Sequence, residues 1–488
     1  MRRTILLLIV VLAIVSIGLA DLKSEASANQ SIINESIRSA GLLWNAGLSE
    51  EFIEKYEAFN LNSLEELFSR LSGYVFLPGE VQLKIDEYVK KIYEQGLKGK
   101  VTIDGMTTTD DLIMASYVFL QPETVPDDTF YRIEPVRDQY YHGSCWAFAT
   151  SGSFESARAV QELGEIDGNA DNIFDYSERW CAYHNIDWDV YYATGYEYVQ
   201  DRNSLEGGNS YFAMYNAVRY GMMEEQYAPY SEVFMVTDEV IPLPPSAYGA
   251  PRVRSSKTIM IPSAYTFKDL GYTYEQYLDI IQLAIAEYGS LAVSFYVPSD
   301  LYYYEKGIYT PSPGAYNTGG HAVTLVGWAK AEDLDDIVLA GKINPDAAPV
   351  IEEEIESYEY YDPTLDATFV ADMFWIIKNS WGYSWGDGGY FVVPVITEEQ
   401  YNSEEIGWWQ IESRSMFVPV FDTLEEHAAD DLDINGDGVV NLQDFSALVN
   451  YIGSEDEEII AKCDLSYPKD GVINGEDVAA WIYLYNNR

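Results

Sequence analysis

The chain opens with an apolar run and continues with a long stretch of helical patterning. Residues 5–20 are almost all apolar. After them, apolar residues recur at helical spacing, and Ser49 and Ser63 are each closely followed by glutamates, as helix N-caps often are. A further helix is predicted over 81–95. No catalytic motif occurs before about residue 127, so this part is predicted to be a helical region.

From there onward the pattern mixes helical and β-type segments, which predicts an α+β domain. Small and apolar residues that follow Cys145 predict a helix, and another helix is predicted over 274–288. A strand is predicted over 291–297. Two further apolar runs, one led by His321 and one ending at Asn379, also predict strands.

The N-terminal run predicts export. Two basic residues precede it, and Gly18 and Ala20 supply small residues where a signal peptide is usually cut. The run is shorter than the roughly 20 residues that a membrane-spanning helix needs. An uncleaved anchor is the alternative. No later apolar run is long enough to cross a membrane, so no stable membrane insertion is expected once 1–20 are removed.

The charge balance excludes several classes of partner. The chain has 79 acidic against 29 basic residues, a formal net charge of −50. Nucleic-acid binding needs clustered basic charge, and docking on an anionic membrane needs the same, so neither is expected. We interpret the acidic excess as a solvated extracellular surface, with part of it binding cations. Three widely spaced cysteines, Cys145, Cys181 and Cys463, predict no disulfide framework.

A cysteine, a histidine and an asparagine occur in contexts suited to nucleophilic catalysis. Cys145 opens its predicted helix, where the positive end of the helix dipole favours the thiolate. His321 and Asn379 lie on strands, so the three can form a nucleophile, its base and the group that orients the base. A buried structural cysteine is the alternative for Cys145 taken alone. Of the other histidines, His142 lacks an orienting partner in the sequence and His427 lies in a linker.

Four motifs, in this order along the chain, resemble the papain family of cysteine peptidases. The matching residues are Gln139 with Gly143-Ser144-Cys145-Trp146-Ala147-Phe148, then Glu206-Gly207-Gly208-Asn209, Gly320-His321-Ala322-Val323 and Lys378-Asn379-Ser380-Trp381-Gly382. The resemblance covers about 128–420. It implies a two-lobed papain-like fold, with a helical lobe to about residue 235 and a β-barrel-like lobe from 236 to 420.

The resemblance also implies the chemistry of the site. Cys145 would be the nucleophile, His321 the general base and Asn379 the residue that orients it, with peptide bonds of protein or peptide substrates hydrolysed by acyl transfer. Gln139 and the Cys145 backbone N–H would stabilise the oxyanion. No cofactor is expected for catalysis.

Substrate binding is expected along the glycine pair. Gly207 and Gly208 would let substrate backbone approach and pair with enzyme backbone, although such a pair alone is only a turn signal. Trp381 is expected to shield the hydrogen bond of the catalytic histidine from water. Asn209 and Ser210 are candidates to line the pocket for the substrate residue before the scissile one, which would make that pocket less apolar than in many relatives.

Three positions depart from the family pattern. His142 and Leu205 stand where the family usually has two disulfide-bonded cysteines, so that bridge is absent. Gly320 precedes the base where well-known relatives have Asp or Asn, which bears on the pH profile and not on the identity of the base.

Two segments have open interpretations. The region 21–127 is either a helical propeptide that blocks the cleft or a permanent N-terminal domain. The acidic segment 330–371 is longer than the family needs; it is predicted to be a solvated surface insertion, with a contribution to the substrate cleft as the alternative.

The last part of the chain carries two copies of a calcium-loop pattern, offset by 33 residues (Asp437 to Asp470). Carboxylate and amide oxygens recur at the spacing that wraps a loop around Ca²⁺. The predicted ligands are Asp433, Asn435, Asp437, Val439, Asn441, Asp444, Asp464, Asp470, Val472, Asn474 and Asp477.

Two loop-helix repeats of this kind resemble a dockerin, a calcium-dependent module that binds cohesin domains on scaffolds or cell surfaces. The alternative is a calcium-stabilised tail without a partner. The predicted organisation is a signal peptide over 1–20, a helical propeptide or N-terminal domain over 21–127, a papain-like peptidase domain over 128–420, a linker over 421–430 and a dockerin-like domain over 431–488.

Together these features predict a secreted cysteine endopeptidase that a calcium-dependent module attaches to a scaffold or cell surface. The alternative from another class is a non-catalytic papain-fold binding protein attached to a scaffold.

Overall fold

The computed structural model describes most of the chain. The described residues are 22–56, 63–77, 82–87, 136–163, 174–183, 207–234, 243–247, 250–342, 346–421, 442–454, 456–465 and 472–475, with the backbone of 102–103 and 106–107 and single residues between these stretches. The predicted signal peptide 1–20 and the predicted linker 421–430, apart from Phe421, lie outside them. No helix of the described part is long and apolar enough to cross a membrane.

Twelve α-helices have their bounds within the described residues. They are α1 (22–40), α2 (Glu50–Glu54), α3 (Leu64–Leu71), α4 (82–87), α5 (Cys145–Leu163), α6 (Glu178–Tyr183), α7 (Ser210–Arg219), α8 (Ala264–Asp269), α9 (Tyr274–Tyr288), α10 (Glu398–Ser403), α11 (Leu442–Asn450) and α12 (Glu457–Cys463). Ser49 and Ser63 cap α2 and α3 as predicted, accepting hydrogen bonds from the Phe52 and Glu66 N–H groups. The helix predicted over 81–95 is described only in part.

The longest strands belong to one sheet. They are β1 (Trp44–Ala46), β2 (Thr102–Ile103), β3 (Met106–Thr107), β4 (Met222–Met223), β5 (Arg252–Val253), β6 (Lys257–Ile261), β7 (Leu291–Pro298), β8 (Tyr304–Gly307), β9 (Asn317–Lys330), β10 (Tyr358–Asp362), β11 (Ala367–Ala371), β12 (Met373–Lys378), β13 (Tyr390–Pro394) and β14 (Met416–Val420). Six form one antiparallel sheet in the order β13-β12-β9-β7-β14-β6.

Two lobes meet along helix α5, in an α+β arrangement. Helices α5, α6 and α7 make up the first lobe, and the six-stranded sheet with α9 makes up the second, as the sequence predicts. Helix α5 packs against β9, β7 and β14, so its own residues are almost all buried. Helix α9 spans the predicted residues and begins with a capping box between Thr273 and Gln276.

The N-terminal region is part of the same fold. Strand β1 pairs antiparallel with β8, and Gly307 there has a φ of 102°. A side chain at Gly307 would lie 2.2 Å from the Leu43 carbonyl oxygen, so the close approach requires glycine. Trp44 and Phe52 are buried in one hydrophobic core together with the catalytic lobes.

The acidic segment 330–371 differs from the predicted solvated loop. Its second half is the hairpin β10–β11, and Tyr358, Tyr360 and Phe369 are buried against the main core. The Tyr358 hydroxyl accepts a hydrogen bond from the Leu43 N–H at 3.1 Å. The aromatic residues in this segment explain the difference, because they supply an apolar face that a fully solvated loop would leave exposed.

Candidate active site

Cys145 is the first residue of α5 and is fully buried. The loop before it is held from the other side of the lobe. The Ser144 hydroxyl lies 2.7 Å from the Tyr230 hydroxyl, and the Tyr230 hydroxyl donates to the Gln139 carbonyl at 2.9 Å. The helix start therefore has a fixed position relative to Gln139.

His321 and Asn379 come together on neighbouring strands. Strand β12 pairs with β9, with Lys378 opposite Thr324, which places Asn379 beside the histidine. His321 Nε2 lies 2.8 Å from Asn379 Oδ1. Trp381 covers this pair, its ring 4.7 Å from the imidazole ring. Nδ1 of His321 is buried and makes no hydrogen bond in the described residues, so it is the nitrogen left for proton transfer.

Gln139 is fixed in the orientation that an oxyanion donor needs. Its Oε1 accepts from the Ser380 hydroxyl at 2.6 Å, and its backbone N–H donates to the Ser380 carbonyl at 2.7 Å. Its Nε2 donates to the His142 carbonyl at 2.6 Å and to the Leu71 carbonyl at 3.1 Å. One of these two acceptors, Leu71, belongs to the N-terminal region.

A peptide segment of the chain itself lies in the cleft. After helix α3, Gly208 N–H donates to the Gly73 carbonyl at 3.0 Å, and Val75 N–H donates to the Gly208 carbonyl at 2.8 Å. On the other wall, Tyr74 N–H donates to the Gly320 carbonyl at 3.0 Å. Gly208 is thus paired with a peptide backbone, and Gly320 is a second pairing position that the sequence did not indicate.

This segment also contacts the two candidate catalytic side chains. The Gly73 and Ala322 N–H groups face the Cys145 sulfur, and the Leu71 carbonyl faces the imidazole of His321. A side chain at Gly320 would lie 2.3 Å from the Tyr74 carbonyl oxygen. Glycine at the position before the base therefore allows the N-terminal segment to pair there.

In this covered form burial shifts the pKa values of both groups toward their neutral forms. Burial raises the pKa of the Cys145 thiol to about 12, against the Gly73 and Ala322 N–H groups that favour the thiolate. Burial lowers the pKa of His321 to about 4, against its contacts with Asn379 and Leu71. The physical reason is burial of both side chains, in a site where the N-terminal segment contacts each of them.

The other predicted binding residues lie around the same cleft. Asn209 caps α7, accepting from the Tyr211 N–H, and its side-chain amide donates to the Val75 carbonyl at 2.9 Å. Ser210 is buried at the start of that helix. Trp381 lies over His321 and stacks on Tyr302 with ring centroids 5.0 Å apart. Gly207 adjoins Gly208 at the cleft edge.

The departures from the family pattern have local replacements. His142 is buried, and its Nε2 lies 2.9 Å from the Val233 carbonyl, so a polar contact holds this loop where a disulfide is absent. Leu205 is buried in the main core. All three cysteines are free and buried.

Sequence reasoning missed a group of buried charges behind the catalytic helix. Glu155 and Glu178 are buried there, and Lys378 and Arg137 line the same small cavity, which reaches Asn379. Burial raises the pKa of Glu178 well above its usual value, with Glu225 and Glu155 adding to the shift. The sequence signal that could have revealed this group is the presence of charged residues within otherwise apolar motifs, such as Lys378 directly before Asn379.

The predicted calcium ligands are only partly described. Asp433, Asn435, Asp437, Val439, Asn441 and Asp470 lie outside the described residues.

Among the remaining ligands, Asp444, Asp464 and Asp477 are buried, Asn474 is half-buried and Val472 is exposed. The Asp477 carboxylate accepts the Leu465 N–H and the Asn474 N–H, each at 2.7 Å, which draws the two ends of the second loop together. Among the described residues no group of three or more potential ligands forms a metal site. Buried carboxylates and an amide oxygen are a donor set that fits Ca²⁺.

Comparison with known proteins gives two family matches. Residues 123–407, more than half of the chain, match the papain family cysteine protease model, and residues 431–482 match the dockerin type I domain.

Similar proteins include Cathepsin B-like CP2 of Giardia intestinalis, 26% identical over 56% of this chain and 70% of that protein. Cathepsin B-like cysteine proteinase 4 of Caenorhabditis elegans is 24% identical over 55% of this chain and 67% of that protein. Among solved structures, proCathepsin B S9 from Trypanosoma congolense matches with a TM-score of 0.44 at 16% identity, covering 81% of this chain and 98% of that one.

Proposed function

The chain belongs to the papain family of cysteine proteases and carries a dockerin type I domain, and from that premise we propose that it is an exported endopeptidase in which Cys145, His321 and Asn379 hydrolyse peptide bonds. The observation that carries the proposal is the peptide segment in the cleft. It places a carbonyl on Gln139 Nε2 at 3.1 Å and an N–H against the Cys145 sulfur. A substrate carbonyl oxygen needs the first of these contacts, and the second shows that a peptide backbone reaches the sulfur that would attack the carbonyl carbon.

The first half of the proposed reaction forms a thioester. His321 Nδ1 takes the Cys145 proton, and the thiolate attacks the carbonyl carbon of the scissile bond. The carbonyl oxygen gains the electron pair, and Gln139 Nε2 and the Cys145 N–H donate to it; losing one such donor costs about 2.7–4 kcal/mol of transition-state stabilisation. The C–N bond then breaks as His321 returns the proton to the leaving amine.

The second half releases the acyl group. His321 takes a proton from water, and the oxygen of that water attacks the thioester carbonyl. The C–S bond breaks, and the thiolate recovers a proton from His321. Asn379 holds the imidazole through Nε2 during both halves, so that Nδ1 faces the sulfur, and Trp381 keeps water from this hydrogen bond.

The N-terminal region 21–127 acts in this proposal as a propeptide and not as a permanent domain. Its segment around Gly73 and Tyr74 occupies the cleft between Gly208 and Gly320, so no substrate can enter while it is in place. The peptidase domain then extends over 128–420. The protein is made as an inactive precursor and becomes active when this region leaves.

The two ends of the chain determine where the protein is located. Residues 1–20 direct secretion and are then removed. The module 431–488, joined by the linker 421–430, binds Ca²⁺ through its acidic loops and attaches the peptidase to a cohesin-type partner on a scaffold or cell surface. Bound calcium would fold these loops, and it takes no part in the hydrolysis.

Labelling with an epoxide inhibitor of papain-like enzymes tests the proposal. The secreted full-length chain is treated with the epoxide before and after N-terminal processing, and mass spectrometry locates the label while peptide cleavage is followed. Label on Cys145 after processing, with activity lost in step and absent in Cys145→Ala, is the expected result. Cys181→Ala is the matched control and keeps full activity. If Cys145 stays unlabelled after processing, the chain is a papain-fold binding protein instead.

A further inference from the structure

The N-terminal region places a lysine ammonium group at the edge of the catalytic site. Lys55 follows helix α2, and its Nζ lies 2.7 Å from Asp138 Oδ2 and 2.7 Å from the Trp381 carbonyl oxygen. Its side chain is only 15% exposed. Asp138 directly precedes the oxyanion donor Gln139, and the Trp381 ring lies over the imidazole of His321. Both acceptors of the ammonium group therefore belong to residues that adjoin the catalytic groups.

Contacts within the catalytic domain hold both of these acceptors. The Oδ1 atom of Asp138 accepts the Tyr140 N–H at 2.8 Å, while Oδ2 is the atom that accepts from the ammonium group. The two backbone segments pair antiparallel, with Asp138 opposite Trp381. In the same pairing the Gly382 N–H donates to the Arg137 carbonyl at 3.1 Å. We therefore expect the carboxylate and the carbonyl to keep their positions after the N-terminal region leaves.

Departure of Lys55 removes the cation that this carboxylate binds. In the described part of the chain no other ion pair of Asp138 occurs, and the neighbouring Arg137 pairs with Asp175 at 2.9 Å. A side chain at Gly382 would lie 2.7 Å from Asp138 Oδ2 and 3.4 Å from the ammonium nitrogen, so glycine keeps that space open. A lysine ammonium group has three donors and no acceptor, so a carboxylate oxygen and a carbonyl oxygen that converge on one point suit it.

We propose that Asp138 and the Trp381 carbonyl form a subsite for a lysine side chain of the substrate, on the side of the leaving amine. The inference rests on the proposed function. Asn209 is a candidate for the pocket before the scissile bond, whereas this subsite lies beside the ring that covers His321. Since His321 gives its proton to the leaving amine, we assign the subsite to a residue that follows the scissile bond. Lys55 occupies the subsite in the precursor, and a substrate lysine occupies it in the processed enzyme.

Norleucine is the comparison that isolates the charge. It keeps the unbranched hydrocarbon chain of lysine and lacks the ammonium group, so the two side chains differ in the contacts with the carboxylate and the carbonyl. The Asp138 side chain is 28% exposed, so solvent screens the ion pair in part. We therefore expect lysine to be favoured over norleucine by about tenfold in kcat/KM.

The test uses the full chain after N-terminal processing. Peptides carry Lys, norleucine or Glu in turn at each of the three positions on either side of the scissile bond, and mass spectrometry of the products locates the cut. We expect the tenfold preference for Lys at one position after the cut. Asp138→Asn keeps the acceptor for the Tyr140 N–H and brings the ratio of Lys to norleucine close to one. Asp138→Lys reverses the order and favours Glu over Lys at that position.

Asp269→Asn is the matched control, because Asp269 also pairs with a lysine of the N-terminal region, Lys90. Its side chain is 57% exposed, so this carboxylate is well solvated, and the preference for Lys after the cut stays unchanged in the variant. Equal cleavage of Lys and norleucine peptides, or a preference for Lys that survives Asp138→Asn, overturns the inference while leaving the peptidase assignment intact. A preference for Lys only before the cut overturns it as well.

Loss of cleavage of every peptide with Cys145 unlabelled would instead overturn the proposed function. Calorimetry of Lys and norleucine peptides with the processed Cys145→Ala chain then decides the subsite by binding alone. Tighter binding of the Lys peptide that is lost on adding Asp138→Asn supports the inference, and equal binding removes it.

Discussion

The side-chain amide of Gln139 donates a hydrogen bond to the backbone carbonyl of Leu71 at 3.1 Å. Leu71 ends helix α3 in the N-terminal region, and Gln139 lies next to the catalytic helix. The chain thus supplies its own acceptor for the donor that a substrate carbonyl would use. The N-terminal region therefore competes directly with substrate, because both need the same N–H group.

Gly320→Ala weakens this self-occupation. The new methyl group would lie 2.3 Å from the Tyr74 carbonyl oxygen and 2.7 Å from the Phe76 ring, both in the N-terminal segment. We expect epoxide labelling of Cys145 in the unprocessed chain to become about tenfold faster, the effect of 1–3 kcal/mol of overpacking. Gly79→Ala, where an added methyl group meets nothing within 4 Å, is the control. Equal labelling rates for the two variants would contradict the prediction.

Asn379→Ala removes the hydrogen bond that orients His321. The imidazole then loses its 2.8 Å hydrogen bond to Asn379, and Nδ1 no longer faces the sulfur in one fixed rotamer. We expect kcat of the processed enzyme to fall about 100-fold, the lower end of what a positioned acid–base group contributes. Steady-state peptide cleavage measures it, with the melting temperature as a check on folding. A change in KM alone would show that Asn379 has a different role.

The variants Gln139→Ala and Ser380→Ala distinguish loss of the direct oxyanion donor from loss of the hydrogen bond that orients this donor. Gln139→Ala removes the oxyanion donor and lowers kcat about 100-fold or more. Ser380→Ala removes only the 2.6 Å hydrogen bond that orients the Gln139 amide, so its kcat falls less, by about tenfold. The processed enzyme is assayed in both cases. If the serine variant loses as much as the glutamine variant, the two act only through the position of the loop.

Glu412 makes stability depend on pH. Burial raises its pKa from 4.5 to about 7, against hydrogen bonds from the Ile396 N–H and the Trp375 indole N–H. Its stabilising effect is complete below about pH 4.5, and it is lost as the pH rises to about 7, because the unfolded chain releases this proton first. The loss is about 3 kcal/mol.

Glu412→Gln keeps an acceptor for both hydrogen bonds and cannot ionise. We expect its melting temperature to fall less between pH 4.5 and pH 8 than that of the wild type. Glu399→Gln, on the surface of α10, should follow the wild type. Parallel curves for all three chains would exclude Glu412 as a source of the pH dependence.

Calcium removal should unfold only the C-terminal module. Trp481 is buried there, and its indole N–H donates to the Leu432 carbonyl at 3.1 Å. A chelator is expected to expose this ring and shift its fluorescence to longer wavelength, seen as the difference between the wild type and Trp481→Phe. Peptide cleavage by the processed enzyme stays unchanged. A difference spectrum insensitive to the chelator would contradict the calcium assignment.

Local patterns predicted much of the fold, and their limits are physical. Helix α9 and strand β7 follow from strong periodicity, and the capping box at Thr273 marks the start of the helix. The pairing of His321 with Asn379 could be predicted because the motif residues lie on strands of the same sheet. A propeptide in the cleft was one of two interpretations, but the residues that enter the cleft could not be predicted, because Gly73 and Tyr74 bind through backbone atoms, which leave no side-chain pattern in the sequence.

The location of Arg414 was equally hidden. Its contacts with Phe76 and Tyr296 join three distant parts of the chain, and no local spacing relates them. The prediction of a solvated loop at the hairpin β10–β11 was wrong for a different reason. Its many acidic residues outweighed the aromatic ones in the sequence pattern, although burial of a few rings determines where such a segment packs.

The N-terminal region and the catalytic lobes share one hydrophobic core, so cleavage of the chain between them would not by itself release the N-terminal region. Strand β1 is held by β8, Trp44 and Phe52 are buried with the catalytic core, and Lys55 Nζ lies 2.7 Å from both Asp138 Oδ2 and the Trp381 carbonyl. A chain cut between the two parts would remain a tight two-piece complex without peptidase activity until the smaller piece dissociates. Activity would then appear after a lag. The length of that lag would depend on how fast the smaller piece dissociates, and not on the rate of chain cleavage alone.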